Sequence, residues 1–138
     1  MKIKLFCDNR DLFCAKDFLG LYIKAGWWGE NSKKDLFYIQ NIMENSFPFV
    51  GVFDNDKIIG MGRAISDKVS DAYIQDIFVL EQYRGKGLGK KLVNNIINFL
   101  QNNEISWIGL IAKPGKTIFY ENIGFEKMKD FSPMLYEK

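Results

Sequence analysis

Apolar and polar positions follow two rhythms along this chain, and the switches between them mark out its elements. Residues 1–7, "MKIKLFC", alternate apolar and charged, which predicts a short strand. Residues 11–25 place Leu12, Ala15, Phe18, Leu19, Tyr22 and Ile23 three and four apart, the stripe of an amphipathic helix. Gly26 is positioned to end it, and "WWGENS" follows as a loop. Ser32, with Asp35 three residues later, resembles a capping box and predicts a second helix running to about Asn45.

The middle of the chain turns to β. "FPFVGVF", "DND" and "KIIGMGRAIS" read as strand, turn and strand, and "DKVSD" is the next turn. "AYIQDIFVL" is so rich in β-branched and aromatic residues that it predicts a central strand buried on both faces, interrupted only by Asp76. From Gly87 the helical period returns with Leu88, Leu92, Val93, Ile96, Ile97 and Leu100. "SWIGLIA" is a further strand and "GKTIFYENIG" a short helix closed by Gly124, with "FEKMKDF" and "MLYEK" as final strands. This order predicts one α+β domain over residues 1–138. Its central, mostly antiparallel sheet would have six to seven strands flanked by about four helices, with "RGKGLG" opening a parallel crossover.

Composition narrows the chemistry. The 138 residues contain no histidine, which excludes Ser–His and Cys–His pairs and any metal site built on imidazole. No metal site is therefore expected. The two cysteines, Cys7 and Cys14, stand outside CxxC spacing and read as reduced thiols, Cys14 in a core. The N-terminus lacks the continuous apolar core of a signal peptide, and no apolar run reaches the length of a membrane span. A cytoplasmic protein is expected. A net charge of +2 is too mild for a dedicated nucleic-acid binder, although Arg84, Lys86, Lys90 and Lys91 do cluster.

That cluster sits in "YRGKGLGKKL", where Gly85, Gly87 and Gly89 interleave with cations at the start of a helix. Gly85 and Gly89 have three residues between them, so the P-loop pattern fails. The spacing GxGxG also departs from the dinucleotide fingerprint. The physical logic still points to phosphate. The first turn of a helix offers unpaired N–H groups and a positive dipole end, and glycine lets an anion approach them. Glycine in a helix costs about 0.5–1 kcal/mol relative to alanine, so its repetition calls for a reason.

"IFVLEQYRGKGLGKKLV" resembles the acetyl-CoA-binding signature of the GNAT superfamily of N-acetyltransferases, and "IFYENIGF", residues 118–125, resembles that family's later segment. "AGWW", "GRAISD" and "QDIFVL" are similar to a bacterial subgroup that includes relatives of arylalkylamine and serotonin acetyltransferases. The resemblance implies transfer of an acetyl group from acetyl-CoA directly to a primary amine of a small molecule. Acetylation of a protein N-terminus or lysine, and a non-catalytic acyl-CoA sensor, are the alternatives. It implies that Arg84, Gly85, Lys86, Gly87, Leu88, Gly89 and Lys90 hold the pyrophosphate. The strand edge at Ile77, Phe78 and Val79 would pair with pantetheine, and the Val79 amide would face the developing oxyanion. Tyr120 is implied as general acid and cofactor contact, and Asp76 as base or amine-binding carboxylate. Trp27 and Trp28 would wall the acceptor pocket. Two positions depart from the pattern: "WIGLIA" carries no Glu, and Lys113 stands where many members have Asn. The chain is expected as a monomer or homodimer.

Overall fold

The computed structural model describes residues 1–5, 15–29 and 35–137. Cys7, Cys14, Ser32 and the first residues of the first predicted helix lie outside that set. The described elements run β1 (Lys2–Leu5), α1 (Ala15–Lys24), α2 (Leu36–Asn45), β2 (Phe49–Asp54), β3 (Lys57–Ser66), β4 (Asp71–Val79), α3 (Leu88–Asn102), β5 (Trp107–Leu110) and α4 (Thr117–Glu121). One five-stranded sheet has the order β1-β2-β3-β4-β5. Neighbours are antiparallel except β4 and β5, which are parallel, and α3 is the crossover between them.

Alternation along the strands assigns the helices to faces. Phe18 of α1 lies against Gly51, and its ring meets Phe49 edge-on at 4.8 Å. The opposite face, marked by Gly62, receives Leu92 and Ile96 of α3. The α3 stripe is buried as its spacing predicts, through Leu88, Leu92, Val93, Ile96 and Leu100. α1 buries Ala15, Phe18, Leu21 and Tyr22, and Gly26 closes it in a left-handed conformation with φ +76°.

Three expectations are corrected. α2 is capped by Asp35, whose carboxylate accepts from the Tyr38 amide at 3.0 Å. Asp35 is thus the cap itself and not the third helical residue after Ser32. β4 is not buried on both faces: Ala72 and Ile74 are buried, while Asp71, Tyr73 and Gln75 are exposed. Tyr73 is covered only in part, by the Trp107 ring 5.0 Å away. Finally, the sheet has five strands among the described residues, because 125–137 form none. Leu135 and Tyr136 are 82% and 87% exposed; their alternation satisfies a strand pattern, but these residues pair with no strand among the described residues.

The decisive irregularity is in β4. Arg63 pairs with Gln75 and Met61 with Phe78, so Asp76 and Ile77 together oppose the single residue Gly62. This is a β-bulge, and Asp76 adopts φ +58° to make it. The bulge depends on the glycine across from it. A Cβ at Gly62 would stand 2.6 Å from Ile77 Cδ1 and 3.1 Å from Ile96 Cδ1. Gly62→Ala is therefore expected to destabilise the protein by about 1–3 kcal/mol, the usual cost of overpacking. Urea unfolding measures this, and an unchanged midpoint would contradict the packing argument.

Candidate functional site

β4 and β5 begin side by side and then part. Their pairing ends at Ile74 and Leu110, while β4 continues to Val79. The bulge falls just past the last paired residue, so the strand bends where its neighbour leaves it. The opening is a cleft of about 1050 Å³. Ile77, Phe78 and Val79 line it from β4. The loop at Gly85–Lys90 lies at one end, and Lys113, Phe119 and Tyr120 line it from the β5 side.

Pairing geometry shows which backbone groups face this space. The Leu80 amide donates to the Ile59 carbonyl at 2.8 Å, so that residue pair is hydrogen-bonded. Alternation then turns both the N–H and C=O of Val79, the partner of Gly60, away from β3 and toward the gap. The Val79 carbonyl accepts from Arg84 Nε at 2.8 Å. Its N–H has no acceptor among the described residues. Phe78 differs from the sequence expectation: its backbone turns toward β3, and its side chain lines the cleft.

In the loop, Gly85 and Gly87 adopt φ +77° and +78° with open space where a Cβ would lie. Only glycine takes this conformation without strain. Gly89 serves another purpose, since a Cβ there would approach Phe119 Cζ at 3.2 Å; it lets α4 pack on α3. Gly87 is the N-cap of α3 and no side chain caps that helix. The amides of Leu88, Gly89 and Lys90 therefore have no intrahelical acceptor, and these residues line the cleft. A diphosphate fits this donor set, with Arg84 held beside it by Val79 and by the Phe78 ring 5.5 Å away. Lys86 does not line the cleft. Its ammonium sits 5.6 Å from the centre of the Tyr83 ring, and Tyr83 donates to Asp54 at 3.0 Å.

Tyr120 is half-buried, its ring 4.9 Å from Phe119 and 5.9 Å from Phe125. Burial pushes its phenol pKa above the usual value of 10.0. The hydroxyl has no partner among the described residues and borders the cleft.

Asp76 is held from two sides. Its Oδ2 accepts from Arg63 Nε at 2.6 Å and from the Tyr22 hydroxyl at 2.8 Å. Burial, followed by the Asp76 charge, raises the Tyr22 phenol pKa far above its usual value, so Tyr22 stays a donor. Sequence reasoning assigned Arg63 and Tyr22 no part here. The available signal was a lone Arg inside an apolar strand, and its partner could not be read from spacing. The tryptophans separate: Trp28, 9% exposed, stacks on Tyr22 at 4.0 Å and packs in the core. Trp27 lines the cleft, 5.8 Å from Phe78 and with Lys113 Nζ 4.3 Å above its ring. Among the described residues no group of three or more His, Cys, Asp or Glu side chains assembles to hold a metal.

Comparison with known proteins now names the architecture. The model of the "Acetyltransferase (GNAT) domain" family matches residues 25–132. An uncharacterized N-acetyltransferase, ycf52, of Pyropia yezoensis is 33% identical over 77% of this chain and 61% of its own length. Histone acetyltransferase TAP1 of Glycine max is 41% identical over 80% of this chain and 51% of its own. The chain thus spans between half and two thirds of these curated relatives. A crystal structure from meticillin-resistant Staphylococcus aureus, described as a protein of unknown function and probable acetyltransferase, is 29% identical. It covers 99% of both chains with a TM-score of 0.76. These relatives do not single out the small-amine subgroup. A mixed sheet parted at β4 and β5, a glycine loop opening α3 and the match over 25–132 lead to one conclusion: the chain belongs to the GNAT family of acetyltransferases.

Proposed function

We propose that this chain moves the acetyl group of acetyl-CoA directly to a primary amine, and that the acceptor is a small molecule. The observation that carries the reading is a convergence on one cleft: uncapped amides at the start of α3, the unpaired N–H of Val79, and the Tyr120 hydroxyl. Acetyl-CoA, when bound, supplies an activated acyl thioester. In the net reaction an N–C bond forms, the C–S bond breaks, and the proton shed by the amine is balanced by one gained at sulfur.

The chain's own groups divide the work. Leu88, Gly89 and Lys90 N–H, with Arg84 and Lys90 side chains, would hold the diphosphate. Ile77 and Val79 present the strand edge to amide groups, in the manner of an added strand. Val79 N–H, turned toward the cleft, would serve as the donor to the developing negative charge, a role in which one donor is worth about 2.7–4 kcal/mol. Tyr120 Oη, which borders the cleft, would hold the proton that a leaving thiolate requires. Asp76 orients the acceptor: its Oδ2 is taken by Arg63 and Tyr22, while Oδ1 has no donor among the described residues. No cysteine is required. The second reading, a protein amine as acceptor, is favoured by the likeness to a histone acetyltransferase. No described helix is long and apolar enough to cross a membrane. The proposal keeps the cytoplasm as the compartment.

Calorimetry with coenzyme A is the direct test. Binding is expected for the wild type, and Gly87→Ala should weaken it about tenfold, because a left-handed L-residue costs about 1–2 kcal/mol. Absence of binding by the wild type would end the proposal. Tyr120→Phe should retain coenzyme A affinity and lower turnover by about 10²–10⁴-fold. The sign of the pH dependence follows from burial. Burial raises the phenol pKa above its usual value of 10.0, so the loss of Tyr120 as an acid is displaced to higher pH than for an exposed tyrosine. Equal turnover of Tyr120→Phe and wild type at every pH would remove Tyr120 from the mechanism. Steady release of coenzyme A with an amine panel would exclude the sensor alternative.

A further inference from the structure

The acceptor end of the cleft has a charge pattern that the transfer reaction itself does not explain. Asp76 is the only acid among the described lining residues, beside Arg84, Lys90, Lys113 and Lys116. Arg84 is engaged by the Val79 carbonyl, and Lys90 belongs to the first turn of α3. Lys113 has no such task. Its ammonium sits 4.3 Å above the Trp27 ring, and no carboxylate among the described residues lies within ion-pair reach of it. The indole holds the cation in place by its quadrupole and leaves its charge uncompensated. Trp27 also packs 5.8 Å from Tyr22, whose hydroxyl donates to Asp76 at 2.8 Å. Lys113 and Asp76 are thus joined through two aromatic rings.

The charges at this end do not cancel. Arg63 already balances Asp76 at 2.6 Å, so Lys113 and the neighbouring Lys116 leave the lining with a positive excess. A simple cationic amine would be attracted by Asp76 and repelled by the surroundings as a whole. An amine that also bears a carboxylate satisfies both groups.

We infer that the acceptor is a zwitterionic amine of the amino-acid type, its nitrogen at Asp76 and its carboxylate at Lys113. This rests on the acetyltransferase reading and names its substrate class. Lys113 is then a specificity residue and takes no part in bond making. Its position in the loop after β5, in "KPGK", lets the charge be set without disturbing the sheet.

The test uses matched pairs that differ by a carboxylate: phenylalanine against phenethylamine, and β-alanine against propylamine. Steady-state acetylation by the full chain is expected to favour the carboxylate member at least tenfold in kcat/KM, chiefly through KM. Lys113→Met should bring the pair within about threefold, and Lys113→Glu should reverse the preference. Calorimetry without the thioester should show the same order of affinities, and retained coenzyme A binding establishes that the variants fold. Equal use of both members by the wild type, unmoved by Lys113→Glu, would overturn the inference while leaving the transferase reading intact. If coenzyme A neither binds nor is released with any amine, the transferase reading fails and this inference falls with it.

Discussion

One extra residue in β4, accommodated by a missing side chain in β3, is the constraint on which the site depends. Without the Asp76–Ile77 bulge opposite Gly62, β4 would continue in regular alternation beside β3. The bulge resets that alternation and sends the Val79 N–H and C=O toward the gap. Ile77 fills the space that a Cβ at Gly62 would need, so the irregularity is packed. Backbone donors placed this way require no reorganisation when charge develops, which is what makes fixed amides effective.

The electrostatics follow from the same bend. Asp76 sits at the bulge with a left-handed backbone, and its carboxylate is received by Arg63 and Tyr22 on the α1 face. A bare carboxylate there would be costly to bury, whereas one balanced by a guanidinium and a phenol is not. Tyr22 in turn carries Trp28 on its face and Trp27 on its edge. The carboxylate, the helix that reaches it and the aromatic wall of the cleft therefore form one contiguous unit. A change at Arg63 would propagate to the wall through Tyr22.

The glycine loop illustrates a division that residue type conceals. Gly85 and Gly87 are required for backbone conformation, Gly89 for the approach of Phe119. The cations around them divide as well: Arg84 is fastened to β4, Lys86 rests on Tyr83, and Lys90 borders the cleft. Only part of the basic cluster borders the cleft.

Short-range rules account for the features that could be read from the residues alone. The β2–β3 hairpin, the apolar stripe of α3, the end of α1 at Gly26 and the glycine loop with its helix were all legible. Each rests on conformational preference or on spacing within a few residues. Whatever needed a partner was settled by contacts between distant elements. The alternation at 125–137 joined no sheet among the described residues, because alternation alone does not bring a segment to an edge, and β4 could not bury both faces without a second layer over Tyr73. Two adjacent tryptophans, alike in sequence, took opposite fates according to what lay above them. Arg63 acquired a role only when a bulge thirteen residues away turned Asp76 toward it. Periodicity reports which side of an element is apolar; it carries no information about what arrives at that side.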